Sequence, residues 1–153
     1  MNNVIHLVTE PVYKLFPVPR DYLDDVIAVA MPLLDKARQK VSPETDYSQI
    51  ENDLRSGDNM LWIVCEKEND GNNIVAALST TIVKNKVRKT FRIDYMGGAK
   101  MDQWMWKVLQ KFEFLAKEAE CSAIVADART GWNKFCKVTE FVPKYTRYEM
   151  ELK

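Results

Sequence analysis

The sequence predicts one α/β domain over residues 1–153, in which helices flank a mixed and mostly antiparallel sheet. Three apolar runs of β-type residues, 60–66, 73–83 and 90–96, follow one another with turn signals between them. A long segment with helical spacing comes next, and a short apolar run over 122–128 follows it. A chain of 153 residues that is 46% hydrophobic is long enough to bury one core and too short for two ordinary domains.

The N-terminal third predicts an edge strand and two helices. The opening stretch "NVIHLVTEPVYKLF" mixes β-branched and aromatic residues with a proline, as edge strands do. Helical spacing begins at Asp21, and Pro32 is expected to kink or restart this helix because proline lacks an amide donor. A second helix is predicted from Ser48, which would form a capping box with Glu51, and Gly57 would end it.

The middle of the chain predicts an antiparallel meander. Asp70-Gly71 lies between two of the β-type runs and is typical of a type I′ hairpin turn, in which both central residues have positive φ. The basic stretch "KNKVRKTFR", with Lys84, Lys86, Arg88, Lys89 and Arg92, follows the second run and leads into the third. It is expected to be a solvated hairpin tip, with phosphate contact as the alternative.

The C-terminal half predicts a long helix, a short strand, a short helix and a closing strand or cramped hairpin. The helix from Lys100 to Ala119 repeats apolar residues at helical spacing. A strand, a crossover helix and a second strand in one sheet are normally parallel. The run over 90–96 should therefore lie beside "SAIVADA", 122–128. A short helix is predicted over 131–138, and "FVPKYTRYEMELK" should form the final strand or hairpin.

Charge and composition exclude several classes of partner. Lys and Arg total 22, as do Asp and Glu, so no global field attracts nucleic acid or an anionic membrane. Cys65, Cys121 and Cys136 are odd in number and lack metal-ligand spacing, which indicates a reducing compartment. The start "MNNVIHLVTE" lacks the pattern of a signal peptide, and no run of eighteen apolar residues occurs. We therefore expect a soluble, cytoplasmic protein without a metal.

The element order and several stretches resemble the GNAT superfamily of acetyl-CoA-dependent N-acetyltransferases, from about Tyr22 to Leu152. In that family the fourth strand leads through a glycine loop into a helix whose first amides hold the pyrophosphate of acetyl-CoA. "FRIDYMGGAKMDQW" occupies this place, and "FLAKEAECSAIVADAR" and "FCKVTEF" resemble the stretches that follow. The resemblance implies that acetyl-CoA binds at Gly97, Gly98, Ala99, Lys100 and Arg129.

A narrower likeness is to the small GNAT-like proteins of tailed phages and prophages, especially podophages. Three short motifs carry it in order: Gly57-Asp58 with Leu61-Trp62, Gly97-Gly98 with Trp104, and Arg129-Thr130-Gly131-Trp132. This resemblance implies a phage or prophage origin and allows packaging in a virion.

The sequence also departs from the family pattern. Only five residues separate Tyr95 from Met101, so the loop offers fewer amides than usual. Where many members have the tyrosine that protonates the leaving thiolate, the register places Cys136, and where they have an asparagine it places Arg129. The last hairpin is compressed to thirteen residues.

Each candidate residue also has a purely structural interpretation. Gly97-Gly98 can be a sharp β-to-α turn rather than a phosphate cradle, because glycine is the default residue in such turns. Arg129 and Trp132 can line a ligand cleft at the end of the fifth strand, or cap and pack the short helix. Cys136 can be a catalytic acid or an inert apolar filler.

The remaining candidates are acids, the single histidine and a tryptophan. Asp94 and Asp127 are candidate general bases on an amine, as is the pair Asp24-Asp25, although acids at strand ends and helix starts are ordinary. His6 is the only histidine, so a catalytic triad would need the N-terminal segment. Trp106 falls off the apolar stripe of its helix, and an exposed tryptophan is typical of a protein interface.

Two functional hypotheses of different class follow. The first is a non-catalytic binding or assembly module that contacts a phage or host protein through Trp106 and Trp132. The second is an acetyl-CoA-dependent N-acetyltransferase, in which Asp94 or Asp127 deprotonates the amine and water or Cys136 protonates CoA. The shortened loop and Cys136 favour the first.

Overall fold

The structure is a computed structural model that describes residues 11–68 and 71–152. The described chain contains five strands and four α-helices, with two 3₁₀ turns at Arg20–Tyr22 and Thr130–Trp132. In chain order they are β1 Val12–Val18, α1 Leu23–Val41, α2 Tyr47–Ser56, β2 Met60–Glu68, β3 Gly71–Lys84, β4 Lys89–Gly98, α3 Met101–Glu118, β5 Ala123–Ala126 and α4 Asn133–Cys136.

The five strands form one sheet in the order β1-β2-β3-β4-β5. The first three pairings are antiparallel, whereas β4 and β5 pair in parallel with α3 as the connection between them. This arrangement confirms the predicted α/β class, the meander and the mixed sheet.

Helices cover both faces of the sheet. On β2, Trp62 and Val64 pack in a core with α3, while Leu61 and Ile63 pack in a second core with α1 and α2. Successive side chains of a strand point to opposite faces, so a strand covered on both sides reads as a continuous apolar run. Burial of β2 on both faces explains why its sequence contains the uninterrupted apolar run "LWIVC".

Two predicted details of the N-terminal helices are corrected. The helix α1 does not restart at Pro32 but runs through it as one segment. Pro32 and Ala28, whose carbonyl loses its amide partner, are both exposed, so water can satisfy that carbonyl. In α2 the cap is Asp46 rather than Ser48, because the Asp46 carboxylate accepts from the Ser48 amide at 3.3 Å. The predicted stop at Gly57 is confirmed, since this residue is left-handed with φ 86°.

The ends of the chain also differ from the predictions. The described part of the edge strand is β1, and the rest of the opening stretch, with His6, lies outside the described residues. Asp70 of the predicted hairpin turn also lies outside them, and Gly71 is not a central turn residue but the first residue of β3, where it pairs with Glu68. Residues 141–152 form no strand. Residues 142–152 are all exposed, so the segment has no buried face of the kind that stabilises a strand.

Candidate functional site

The strands β4 and β5 separate partway along their length. They pair only over Thr90–Ile93 and Ala123–Ala126, although β4 continues to Gly98. At the point of separation Asp94 is an extra residue in the β3–β4 register, since Thr80 pairs with Ile93 and Ser79 with Tyr95. Such a bulge bends a strand and re-aims its side chains. The sheet therefore opens at the carboxyl end of β5.

Two cavities meet at this opening. The first, named the helix cleft, has a volume of about 460 Å³ and lies between the N-terminus of α3 and the segment from Arg129 to Phe135. The second, named the α1 groove, has about 130 Å³ and lies between the C-terminal half of α1 and the diverging strands. Four residues line both cavities: Gly98, Met101, Arg129 and Trp132. A ligand can thus extend from one cavity into the other.

Gly97 and Gly98 are the last two residues of β4, and close packing requires both. A Cβ on Gly97 would lie 1.9 Å from the carbonyl oxygen of Leu33 in α1. Gly98 has φ 145°, and a Cβ there would lie 2.3 Å from the carbonyl oxygen of Val75. Backbone approach and positive φ thus account for the glycine pair without a ligand.

The turn after Gly98 leaves few amides for an anion. The Ala99 amide donates to the Val75 carbonyl at 2.9 Å, and the Gln103 amide donates to the Lys100 carbonyl at 2.9 Å. Within the described chain, the amides of Met101 and Asp102 have no hydrogen-bond acceptor, and both residues line the helix cleft. An anion there would meet two amides and the positive end of α3. The amide of Ala99, which the sequence assigns to the phosphate cradle, therefore cannot donate to an anion without losing its hydrogen bond to the Val75 carbonyl.

The Lys100 side chain is held on the sheet side of the turn. Its ammonium lies 2.8 Å from the buried carboxylate of Glu66. The Tyr13 hydroxyl lies 3.5 Å from the same carboxylate and also donates to the side-chain oxygen of Gln103. Burial, together with the neighbouring Glu66 charge, raises the pKa of Tyr13. Lys100 lines the helix cleft, but much of its charge is neutralised by Glu66.

The structure brings the two predicted acids together around one arginine. Arg92 lies 3.2 Å from Asp94 and 2.7 Å from Asp127, and both carboxylates line the α1 groove. Asp94 also accepts hydrogen bonds from the Thr81 hydroxyl and, at 3.3 Å, from the Asn59 amide group. Burial raises the pKa of Asp94, although the Thr81 hydrogen bond and the Arg92 charge act against this shift. Asp94 is thus better suited to hold a proton than an exposed aspartate.

Arg129 and Trp132 lie at the junction of the two cavities. In the described structure the guanidinium of Arg129 is exposed and has no hydrogen bond or ion pair. Trp132 is half-buried and packs edge-on against Phe135 and Phe141, with ring centroids 5.8 and 6.2 Å apart. Arg129 is therefore available to a ligand, and Trp132 is a wall of the site rather than an exposed contact.

The other candidates lie apart from this site. Cys136 lines neither cavity, and its thiol lies 3.8 Å from the Trp132 carbonyl oxygen. Asp24 forms an ion pair with Arg55 at 2.9 Å and also lines neither cavity. Trp106 is 60% exposed on α3, as its position off the apolar stripe predicts. Its partner role stays a prediction.

Sequence reasoning missed two cationic residues of the α1 groove, and it assigned a third residue beside the groove, Arg92, to the basic stretch as a possible phosphate contact. Lys36 and Lys40 line it from α1, and Arg92 bridges the two acids. The four-residue spacing of Lys36 and Lys40 places both on one helix face. The spacing of two in "RID" likewise indicates that Arg92 and Asp94 lie on the same face of one strand.

The described residues contain neither a metal-binding cluster nor a membrane-spanning helix. No group of three or more histidine, cysteine or acidic side chains in residues 11–68 and 71–152 is arranged to hold a metal ion. Over the same ranges, none of the helices combines the length and the apolar character needed to span a bilayer.

Comparison with known proteins shows the fold. No protein-family model matches the chain, and no curated protein matches its sequence. Solved structures do match. Glucosamine-6-phosphate N-acetyltransferase from Arabidopsis thaliana aligns with a TM-score of 0.60 and 16% identity over 93% of this chain and 99% of that one. A predicted acetyltransferase from Clostridium acetobutylicum, solved with acetyl-CoA, aligns with a TM-score of 0.61 and 16% identity over 92% and 96%.

A third match is ribosomal-protein-alanine N-acetyltransferase from Brucella melitensis biovar Abortus 2308. It aligns with a TM-score of 0.59 and 15% identity over 93% of this chain and all of that one, 100%. The chain therefore has the GNAT acyl-CoA N-acyltransferase fold over nearly its whole length. At these identities the likeness establishes the fold alone.

Proposed function

We propose that the protein binds an acyl-CoA, with acetyl-CoA as the first to test, in the opening between β4 and β5 and transfers the acyl group to an amine. The observation that carries this proposal is the separation of the two strands at Asp94, which joins the helix cleft to the α1 groove. A thioester carbonyl at the junction would be reachable from both sides.

The residues of the helix cleft fit the anionic part of a CoA thioester. The amides of Met101 and Asp102 point out of the first turn of α3, and Arg129 and Lys134 add positive charge. The carboxylate of Asp102 and the pairing of Lys100 with Glu66 reduce this charge. The site therefore suits a diphosphate held by few contacts, and we expect modest affinity.

The residues of the α1 groove fit the acceptor amine. Asp94 or Asp127 takes the proton as the amine nitrogen forms its bond to the acyl carbon, and Arg92 holds both carboxylates in place. A bound acyl-CoA supplies the activated carbonyl and the thiolate leaving group. The C–S bond breaks, and water at the open junction returns a proton to sulfur, because Cys136 lines neither cavity.

Calorimetry with acetyl-CoA and CoA, paired with a thiol-release assay over a panel of amines, tests the proposal. We expect binding tighter than about 100 μM. Arg129→Gln should weaken it about tenfold. The matched control is Arg88→Gln, which removes an exposed arginine of the β3–β4 turn that lines neither cavity. No heat at millimolar ligand would contradict the proposal.

A second candidate is a non-catalytic binding or assembly module in a phage virion or on a host protein. Specific contacts favour it: the Ala99 amide is bonded to Val75, Lys100 is paired with Glu66, and both acids are paired with Arg92. Neighbours with this fold are named for acceptors as different as glucosamine-6-phosphate and a ribosomal-protein alanine, so the fold does not select a substrate. Absence of heat with acetyl-CoA, together with the chain's presence in purified particles of the encoding phage, would favour the module.

A further inference from the structure

We propose that the acceptor is a small amine that also carries a carboxylate or phosphate group, and that Lys36 and Lys40 bind this anion at the rim of the α1 groove. The inference rests on the proposed function and names the substrate class of the same site.

The two lysines are placed side by side, and no acid among the described residues is paired with either of them. They lie one helical turn apart on α1 and line the same groove. In the described part of the chain neither ammonium has a hydrogen bond or an ion pair. The neighbouring acid on the helix, Asp35, is engaged by Arg38 at 2.6 Å and by Gln39 at 2.8 Å. Like charges four residues apart on a helix repel each other, so an anion bound between them would relieve this repulsion.

The opposite wall of the groove carries the complementary charge for an amine. Asp94 and Asp127 lie there, but Arg92 pairs with both and leaves this group of three residues with one net negative charge. Lys36 and Lys40 contribute two positive charges, and the charge of Arg129 is left for the diphosphate. A bare ammonium would meet net repulsion, whereas an acceptor with an anionic group at the rim and its amine at the wall matches both.

The size of the groove limits the part of the acceptor that enters it. A cavity of about 150 Å³ accommodates a benzene ring, and the α1 groove has about 130 Å³. This space suits an amino group and a few further atoms. We therefore commit to a small molecule, and a peptide amino terminus beside an acidic residue is an alternative that the test separates.

The experiment compares matched amines at saturating acetyl-CoA. Phosphoethanolamine is compared with ethanolamine, and β-alanine with β-alanine amide, so that each pair differs only in the anionic group. We expect kcat/KM to be at least about tenfold higher for the anionic member, since hydrogen bonds from ammonium groups to an anion are stronger than those between neutral groups. A peptide with a free amino terminus followed by glutamate forms a third arm, and higher kcat/KM for this peptide than for both small anionic amines would overturn the small-molecule proposal.

Variants test whether the two lysines cause the preference for anionic amines. The double change Lys36→Gln with Lys40→Gln should abolish the preference by lowering kcat/KM for the anionic amine, whereas ethanolamine turnover should not fall, because the repulsion of its ammonium is removed. Lys117→Gln, an exposed lysine of α3 that lines neither cavity, is the matched control. Equal kcat/KM for both members of each pair, or equal loss of both in the double variant, would overturn the inference.

Binding measured without turnover separates this inference from the proposed function. Phosphoethanolamine titrated into the ¹⁵N-labelled protein should shift the amide resonances around Lys36 and Lys40, and the double variant should lose these shifts. If no amine releases CoA but the shifts occur, the proposed function fails and the anion site stands. If CoA is released but the shifts do not occur, the anion site fails and the acyltransferase stands.

Discussion

The backbone of Gly97 lies directly against the carbonyl oxygen of Leu33, so that a methyl group at Gly97 would lie 1.9 Å from this oxygen. Helix α1 thus rests on β4 at a point where no side chain fits. We expect Gly97→Ala to lower the free energy of unfolding by about 3 kcal/mol, because the clash is with backbone that cannot rotate away. Urea denaturation measures the change.

Gly71→Ala is the matched control for this prediction. A Cβ at Gly71 meets no atom within 4 Å. The control should therefore stay within about 0.5 kcal/mol of the wild type. Equal stability of both variants and the wild type would show that α1 and β4 are packed less closely than described.

Replacing Cys136 should not slow acyl transfer. Its thiol lies against the Trp132 carbonyl and lines neither cavity, so it is not placed to protonate a leaving thiolate. We expect Cys136→Ala to retain kcat within about twofold, compared with the ~100-fold effect of removing a general acid or base. A pH–rate profile of the variant completes the measurement, and a loss of its alkaline limb would restore Cys136 as the acid.

The buried carboxyl of Asp94 should give stability an unusual pH dependence. Burial raises the pKa of Asp94 above its ordinary value of 3.8, so the folded state binds this proton more tightly than the unfolded state. The contribution of Asp94 to the free energy of unfolding therefore falls as the pH rises from 3.8 through the folded-state pKa. Asp94→Asn lacks this contribution.

Urea denaturation of the wild type and Asp94→Asn at a series of pH values measures the effect. The difference in stability, wild type minus variant, should decrease over that window and become constant above it. An increase with pH would mean that the ion pair with Arg92 outweighs burial and that the folded-state pKa is lowered.

Removal of residues 142–152 should leave the fold intact. All of these residues are exposed, and the ion pair between Arg147 and Glu44, at 3.2 Å, joins two largely exposed side chains. A chain without these residues keeps the contact between Phe141 and Trp132 and should have the same denaturation midpoint. A lower midpoint that depends on protein concentration would instead indicate that the segment packs on a second copy.

The sequence predicts the regular elements well where the signal is local and long. The apolar spacing of α3 and the three runs of the meander specify their elements directly, and the parallel pairing of β5 follows from the crossover rule. The smaller errors, at the cap of α2 and at the C-terminal segment, arise where a local pattern fits two outcomes. Asp46 and Ser48 are both good caps, and the pattern around "DYS" does not distinguish them. The alternating apolar residues after Phe141 predict a strand, but a strand also needs a partner and a buried face.

The candidate site depends on contacts that no local pattern contains. Asp94 and Asp127 can be named from their positions near the ends of the predicted runs 90–96 and 122–128. Their shared partner Arg92 becomes visible only when β4 and β5 are paired. Lys36 belongs to the site because α1 packs beside the diverging strands, and its helical spacing does not indicate which elements it faces. The sequence predicts that the glycine pair is either a turn or a phosphate cradle. The short distance from a Cβ at Gly97 to the Leu33 carbonyl oxygen shows that close packing requires glycine there.

The turn between β4 and α3 is fastened from both sides: the Ala99 amide is bonded to Val75, and the Trp104 indole donates to the Ala99 carbonyl at 2.8 Å. The entropy of ordering this turn is therefore lost during folding rather than during recognition. An incoming anion meets dipoles that are already aligned, so its association should approach the rate of rigid docking, with little rearrangement of the main chain.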